Sequence, residues 1–149
     1  MIRTKNGKIV LKGILLLMSL ATIFNLLGCS GPKKESEVEF LEYRVSGYNP
    51  GYDIQLNEGK IIYENFDEGK KGKYRANEEV VSNLLEEFNK LDIYSWNGYR
   101  EADDEVLDGM GFTLYVKFPD GSVINASGSN KFPKNFREFD TFMQSLMKK

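Results

Sequence analysis

Downstream of residue 36 the chain switches between two hydrophobic rhythms, a period of two and a period between three and four, and their order predicts the architecture. Leu41, Tyr43 and Val45 point one way and Glu42 and Arg44 the other, as in a half-buried strand. Gly47-Tyr48-Asn49-Pro50-Gly51 breaks the pattern, after which Tyr52, Ile54 and Leu56 alternate with Asp53 and Gln55. Asn57-Glu58-Gly59 returns the chain through Ile61, Ile62 and Tyr63, with a type I turn and a left-handed Gly59 expected between these strands. Residues 67–73 read as a charged loop and residues 73–76 as a short further strand.

The rhythm then becomes helical. Asn77 is placed to cap a helix, with Glu78 and Glu79 at the positive end of its dipole. Val80 or Val81, Leu84, Leu85, Phe88 and Leu91 recur at helical spacing to about residue 92. Ile93, Tyr94 and Trp96 follow, and Asn97-Gly98 signals a turn. Phe112, Leu114, Val116 and Phe118 restore the period of two, and Pro119-Asp120-Gly121 sends the chain back through Val123, Ile124 and Ala126. A last helix is expected after Gly128, with Pro133 in its first turn, a stripe of Phe132, Phe136, Phe139, Met143 and Leu146, and Lys148 and Lys149 at its negative end. This order predicts an α+β fold over residues 37–149: an antiparallel sheet of about five strands with two helices packed on one face, in the order β-β-β-(β)-α-β-β-α. The two turns, each followed downstream by a helix, match in residue type, but shared turn chemistry explains that without a duplication.

Ahead of this domain, residues 30–36 (Ser-Gly-Pro-Lys-Lys-Glu-Ser) hold no apolar residue and read as a tether reaching roughly 15 Å on average. Before them come Arg3, Lys5, Lys8 and Lys12, an apolar run over 14–27, and Leu26-Leu27-Gly28-Cys29. A basic head, a greasy middle and a small residue before the cut make a secretory signal, and the run falls short of the roughly 20 residues that span a bilayer. The segment resembles the bacterial lipoprotein signal. That resemblance implies removal of residues 1–28, a diacylglyceryl thioether on Cys29, a lipidated tether over 29–36, and residence on the extracytoplasmic face of the cell membrane with the membrane as partner through the lipid. The plainer reading of Cys29 is a buried thiol or the end of an uncleaved anchor. Past Cys29 the chain resembles small lipoproteins of Gram-positive type in its hairpin turns and its Trp-Asn-Gly and Ser-Gly-Ser-Asn segments, which implies a place and no particular activity.

Composition narrows the chemistry. All 22 acidic residues but only 16 of the 20 basic ones lie after Cys29, a net charge of −6 that argues against nucleic acid and against electrostatic adhesion to anionic lipid. Histidine is absent from the chain, which excludes Ser-His and Cys-His nucleophiles and histidine metal sites. With its one cysteine acylated, the processed chain forms no disulfide, so packing of its 18 aromatic residues must supply the stability.

Two kinds of segment remain. Residues 101–108 carry five carboxylates, and Asp103, Asp104, Glu105 and Asp108 are conceivable calcium ligands; their spacing departs from the EF-hand, and a solvated loop is the plainer reading. No cofactor or metal is expected. The same carboxylates, with Asp92 or Glu64 as second partner, are the candidates for glycosidase chemistry. Trp96, Asn97 and Tyr99, together with Ser127, Ser129 and Asn130, combine rings, amides and hydroxyls in the manner of a sugar- or peptide-binding surface. Their plainer reading makes Trp96 a plug of the core and the polar residues turn and cap formers. The functional expectation is an extracytoplasmic binding or interaction module for an envelope protein, peptide or glycan. The alternatives are a carboxylate-dependent cell-wall glycan hydrolase and a structural subunit of an envelope complex, the latter presenting an apolar patch on the free sheet face.

Overall fold

Alternation in the sequence becomes one sheet with two unlike faces. The computed structural model describes residues 37–47, 51–103, 105 and 109–147. The expected signal segment, Cys29, the expected tether, Tyr48, Asn49 and Pro50 of the expected break, Asp104, Asp108, Lys148 and Lys149 lie outside the described residues. In chain order the elements are β1 (Phe40–Ser46), β2 (Tyr52–Asn57), β3 (Lys60–Asn65), β4 (Lys70–Arg75), α1 (Glu78–Lys90), a 3-10 turn (Ile93–Trp96), β5 (Arg100–Ala102), β6 (Gly111–Lys117), β7 (Val123–Ser129) and α2 (Phe136–Leu146). The strands lie in the order β4-β3-β2-β1-β6-β7-β5. All neighbours run antiparallel except β5, which runs parallel to β7.

The class is α+β, as the periodicity predicts, but the sheet has seven strands and is mixed where about five antiparallel ones were expected. One extra length comes from β4, which begins at Lys70 inside the expected loop. Its Gly72 lies under the Tyr63 ring, which occupies the space a Cβ would need, and Lys71 pairs with Glu64 across the strands at 2.9 Å. The other is β5, three residues at the head of the acidic run, too short for any period to show. It is held by non-local bonds, Ser127 N to Tyr99 O at 2.9 Å and Asp103 N to Ser129 O at 2.9 Å.

Two local expectations are also corrected. Glu58 and Gly59 both have positive φ (49° and 67°), the mark of a two-residue I′ turn rather than type I, because its twist suits the strands it joins. The turn before β7 does match: Gly121 is left-handed at φ 86° and donates to Phe118 O at 2.9 Å. The two hairpins therefore differ in turn type as well as in sequence. Helix α2 starts at Phe136, not at Pro133, since Asn135 adopts φ 63° and interrupts any helix begun before it; its Nδ2 donates to Leu91 O at 3.0 Å and secures that corner.

One face of the sheet supplies Leu41, Tyr43, Val45, Ile54, Leu56, Leu114 and Val116 to the core, and Leu84, Phe88, Phe139 and Met143 of the two helices cover them. Asn77 caps α1 as expected, its Oδ1 accepting from Val80 N at 3.0 Å. The helices meet each other and the sheet through rings: Phe88 lies 5.7 Å from Phe139, and Tyr43 5.3 Å from Phe139 at 74°. Among the described residues the buried apolar side chains run from Leu41 to Leu146 and form one core. No helix among the described residues is long and apolar enough to cross a membrane.

Within the apolar stripe of α2 stands one carboxylate. Asp140 Oδ1 accepts from the Tyr43 hydroxyl at 2.8 Å and from the Tyr52 hydroxyl, while Oδ2 accepts from Gln144 Nε2 at 2.9 Å. Burial above all, and then the neighbouring Tyr52 and Asp140, push the Tyr43 hydroxyl far above the usual tyrosine value; burial and Asp140 do the same to Tyr52. The folded protein thus keeps protons that the unfolded chain releases above about pH 10, so this contribution is complete below that pH and declines above it. Each such tyrosine steepens the alkaline loss by about 1.4 kcal/mol per pH unit, and urea unfolding between about pH 10 and 11.5 should show Tyr52→Phe flatter than the parent by that amount. At neutral pH, Asp140→Ala should cost about 3 kcal/mol, because two buried hydroxyls lose their acceptor.

Candidate functional site

Among the described residues no helix covers the other face of the sheet, and the register lines up its side chains in rows. One row crosses all seven strands: Lys71, Glu64, Asp53, Arg44, Thr113, Ser127 and Arg100. At its centre Arg44 donates to Asp53 Oδ2 from Nε at 3.1 Å and from Nη2 at 2.7 Å. Asp53 is 8% exposed, and hydrogen bonding to its carboxylate holds the Arg44 guanidinium above its ordinary value. Removing the carboxylate from water is compensated by the guanidinium on which it sits.

Arg44 stands between two depressions. The larger, about 580 Å³, includes Asp53, Glu64 and Lys71, whose charges are matched within the row by Arg44–Asp53 at 2.7 Å and Lys71–Glu64 at 2.9 Å. The other, about 490 Å³, lies between Arg44 and Arg100 and presents the hydroxyls of Ser46, Thr113, Ser127 and Ser129. Its shape comes from the adjacent row, where Ser46, Gly111, Ser129 and Ala102 are paired neighbours and none is bulky. Arg100 is exposed and forms no ion pair among the described residues. This second depression, whose Arg100 has no ion pair among the described residues, is the better candidate.

The six residues singled out in the sequence divide. Ser127 and Ser129 line the depression. Trp96 does not: it is 2% exposed, its Nε1 donates to Lys134 O at 3.2 Å, and it packs on Phe112 and Phe139 at 5.9 and 5.3 Å, as the plug of the core. Asn97 braces the sheet edge, its Oδ1 accepting from Asn125 N at 3.0 Å. Tyr99 is half-buried with its ring 6.2 Å from Phe112. Asn130, at φ 58°, forms a corner, donating from N to Met110 O at 2.8 Å and from Nδ2 to Asp103 O at 3.4 Å.

The carboxylate candidates are dispersed in role. Asp103 Oδ1 accepts from Glu105 N at 3.2 Å, a local turn, and Asp104 and Asp108 fall outside the described residues. Among the described residues no group of three or more Asp, Glu, His or Cys stands close enough to hold a metal. Glu64 has Asp53 as its cross-strand neighbour, and Asp92 occupies a left-handed corner at φ 57° ahead of the 3-10 turn. No protein-family model matches the chain, nor does any curated protein or any solved structure.

Sequence reasoning passed over Arg44, Arg100 and Thr113. A hairpin centred on Tyr48 and Asn49 does place Arg44 opposite Asp53, so that pairing had a signal; Arg100 had none, because its strand pairs in parallel with a distant partner. Denaturation should separate scaffold from site. Trp96→Ala should cost about 3–5 kcal/mol and Arg44→Ala about 1 kcal/mol, whereas Ser127→Ala and Ser129→Ala should stay within about 0.5 kcal/mol of the parent.

Proposed function

We propose that the protein is a lipoprotein anchored through Cys29 on the extracytoplasmic face of the membrane, and that it serves there as a binding module using the depression between Arg44 and Arg100. The observation that supports this is the one-sided coverage of the sheet. Both helices pack on the same face, and the bare face carries a row of charged and hydroxyl side chains around a depression of about 490 Å³. A bare face built only for solubility has no need of a buried carboxylate holding an arginine at its centre.

Binding fits this surface better than the alternatives. Asp53 and Glu64 are each engaged by a cation, at 2.7 and 2.9 Å, so the pair is organised as two ion pairs rather than as an acid and a nucleophile. Exposed Ile62 and Phe66 line the other depression, beside Asp53, Glu64 and Lys71, and Tyr115 and Val123 lie outside both, so the depression between Arg44 and Arg100 suits a polar ligand more than docking of a large apolar partner. Guanidiniums and hydroxyls together favour a ligand rich in carbonyl, carboxylate and hydroxyl oxygens, the chemistry of peptide-bearing cell-wall glycan.

Two measurements test the two parts. Mass spectrometry of the native product should find a diacylglycerol on an N-terminal Cys29, and Cys29→Ser should abolish palmitate labelling; an intact leader with a free thiol would overturn the anchor. Titration of residues 30–149 with a disaccharide-peptide wall fragment, followed by amide NMR, should move Ser46, Arg100, Thr113, Ser127 and Ser129. Shifts confined to another surface, or no shift with this fragment, its glycan or its peptide, would overturn the binding site.

A further inference from the structure

We infer that the depression recognises an oxyanion, a carboxylate or phosphate group held between the guanidiniums of Arg44 and Arg100 above the hydroxyls of Thr113 and Ser127. The inference rests on that depression being the ligand site. All four residues belong to one row, on four successive strands, which sets the two arginine Cα atoms roughly 14 Å apart. Both arginines line the depression, Arg44 with its head held on the Asp53 side and Arg100 without an ion pair among the described residues, and Thr113 and Ser127 stand in the row between them.

The state of each arginine supports this. Arg44 uses Nε and Nη2 on Asp53, and its Nη1 has no partner among the described residues. Its plane is therefore fixed before a ligand arrives, which lowers the ordering cost of binding. Arg100 sits beside the densest acidic run of a chain with an acidic excess, yet it takes no partner from it among the described residues. The reason is directional: in β5 Glu101 pairs opposite Gly128 and so alternates away from Arg100, and Asp103 Oδ1 is taken by Glu105 N at 3.2 Å. Glu101 still lines the rim, Arg44 is shared with Asp53, and Arg100 is the cation there without an ion pair among the described residues. That balance suits a single oxyanion and disfavours a polyanion.

The test compares charged and neutral forms of one ligand. Residues 30–149 are titrated with the disaccharide-peptide fragment carrying free carboxylates and with the same fragment fully amidated, and separately with acetate and inorganic phosphate. The free acid should bind at least tenfold more tightly than the amide. Arg100→Gln and Arg44→Lys should each remove most of that advantage while leaving the amide spectrum of the rest of the fold in place, because lysine keeps the charge but loses the two-pronged contact. Acetate and phosphate should shift the same residues, and the stronger of the two identifies the group. Equal affinity for acid and amide at these residues would overturn the oxyanion and leave the binding site standing; absence of any shift there would overturn both.

Discussion

The register between the two central strands is what everything on this molecule depends on, and Asp140 is its lock. Tyr43 and Tyr52 approach one carboxylate on α2 from β1 and β2. Their chain neighbours Arg44 and Asp53 then face one another on the opposite side of the same strands, at 2.7 Å. A slip of one residue would turn one strand over relative to the other, taking one tyrosine off Asp140 and one charge of the ion pair into the apolar layer, so the hydroxyl–carboxylate cluster and the ion pair enforce the same pairing from opposite faces. Neither is needed for hydrophobic burial alone, and each makes the wrong register costlier than apolar contacts would.

That shared register divides the sheet into a closed face and an open one. On the closed face rings interlock, with Phe139 touching Tyr43, Phe88 and Trp96 at 5.3 to 5.7 Å, and polar contacts pin the helices at Asp140, at Tyr74, whose hydroxyl donates to Leu146 O at 3.0 Å, and at the Asn135–Leu91 corner. On the open face charge is arranged locally. A net charge of −6 after Cys29 sets the far field, but within the central row Lys71 pairs with Glu64 and Arg44 with Asp53, and among the described residues Arg100 has no ion pair. Composition describes that far field and says little about what a small ligand would meet at the surface.

The sequence makes the apolar layer legible because burial leaves a periodic trace. Leu41, Tyr43 and Val45, the α1 stripe and the β6–β7 hairpin with its Pro-Asp-Gly turn all stand where alternation put them. What stayed hidden has no period: β5 is three residues long and paired in parallel, and β4 is a lysine-rich edge whose place is secured by Tyr63 over Gly72. Asp140 was visible and unread, a carboxylate one step from Phe139 inside an apolar stripe, where a polar residue needs a partner. The aromatic segment at Trp96 drew attention for the wrong reason, since a large ring next to polar residues is as much the mark of a plug at the margin of a core as of a ligand platform.

Gly128 joins the two faces. A Cβ there would lie 2.2 Å from Lys131 O and 2.7 Å from Phe112 Cε1, so the Ser-Gly-Ser segment closes tightly on the aromatic layer while turning Ser127 and Ser129 outward. Phe112 in turn packs on Trp96 at 5.9 Å and on Phe136 at 4.9 Å, which ties the floor of the depression to the start of α2. The hydroxyls offered on the open face are therefore mounted on the most densely ringed part of the core, and Arg44 on the strand that Asp140 locks. For the binding role we propose, this means a site ordered before a ligand reaches it, which lowers the cost of binding at a shallow surface.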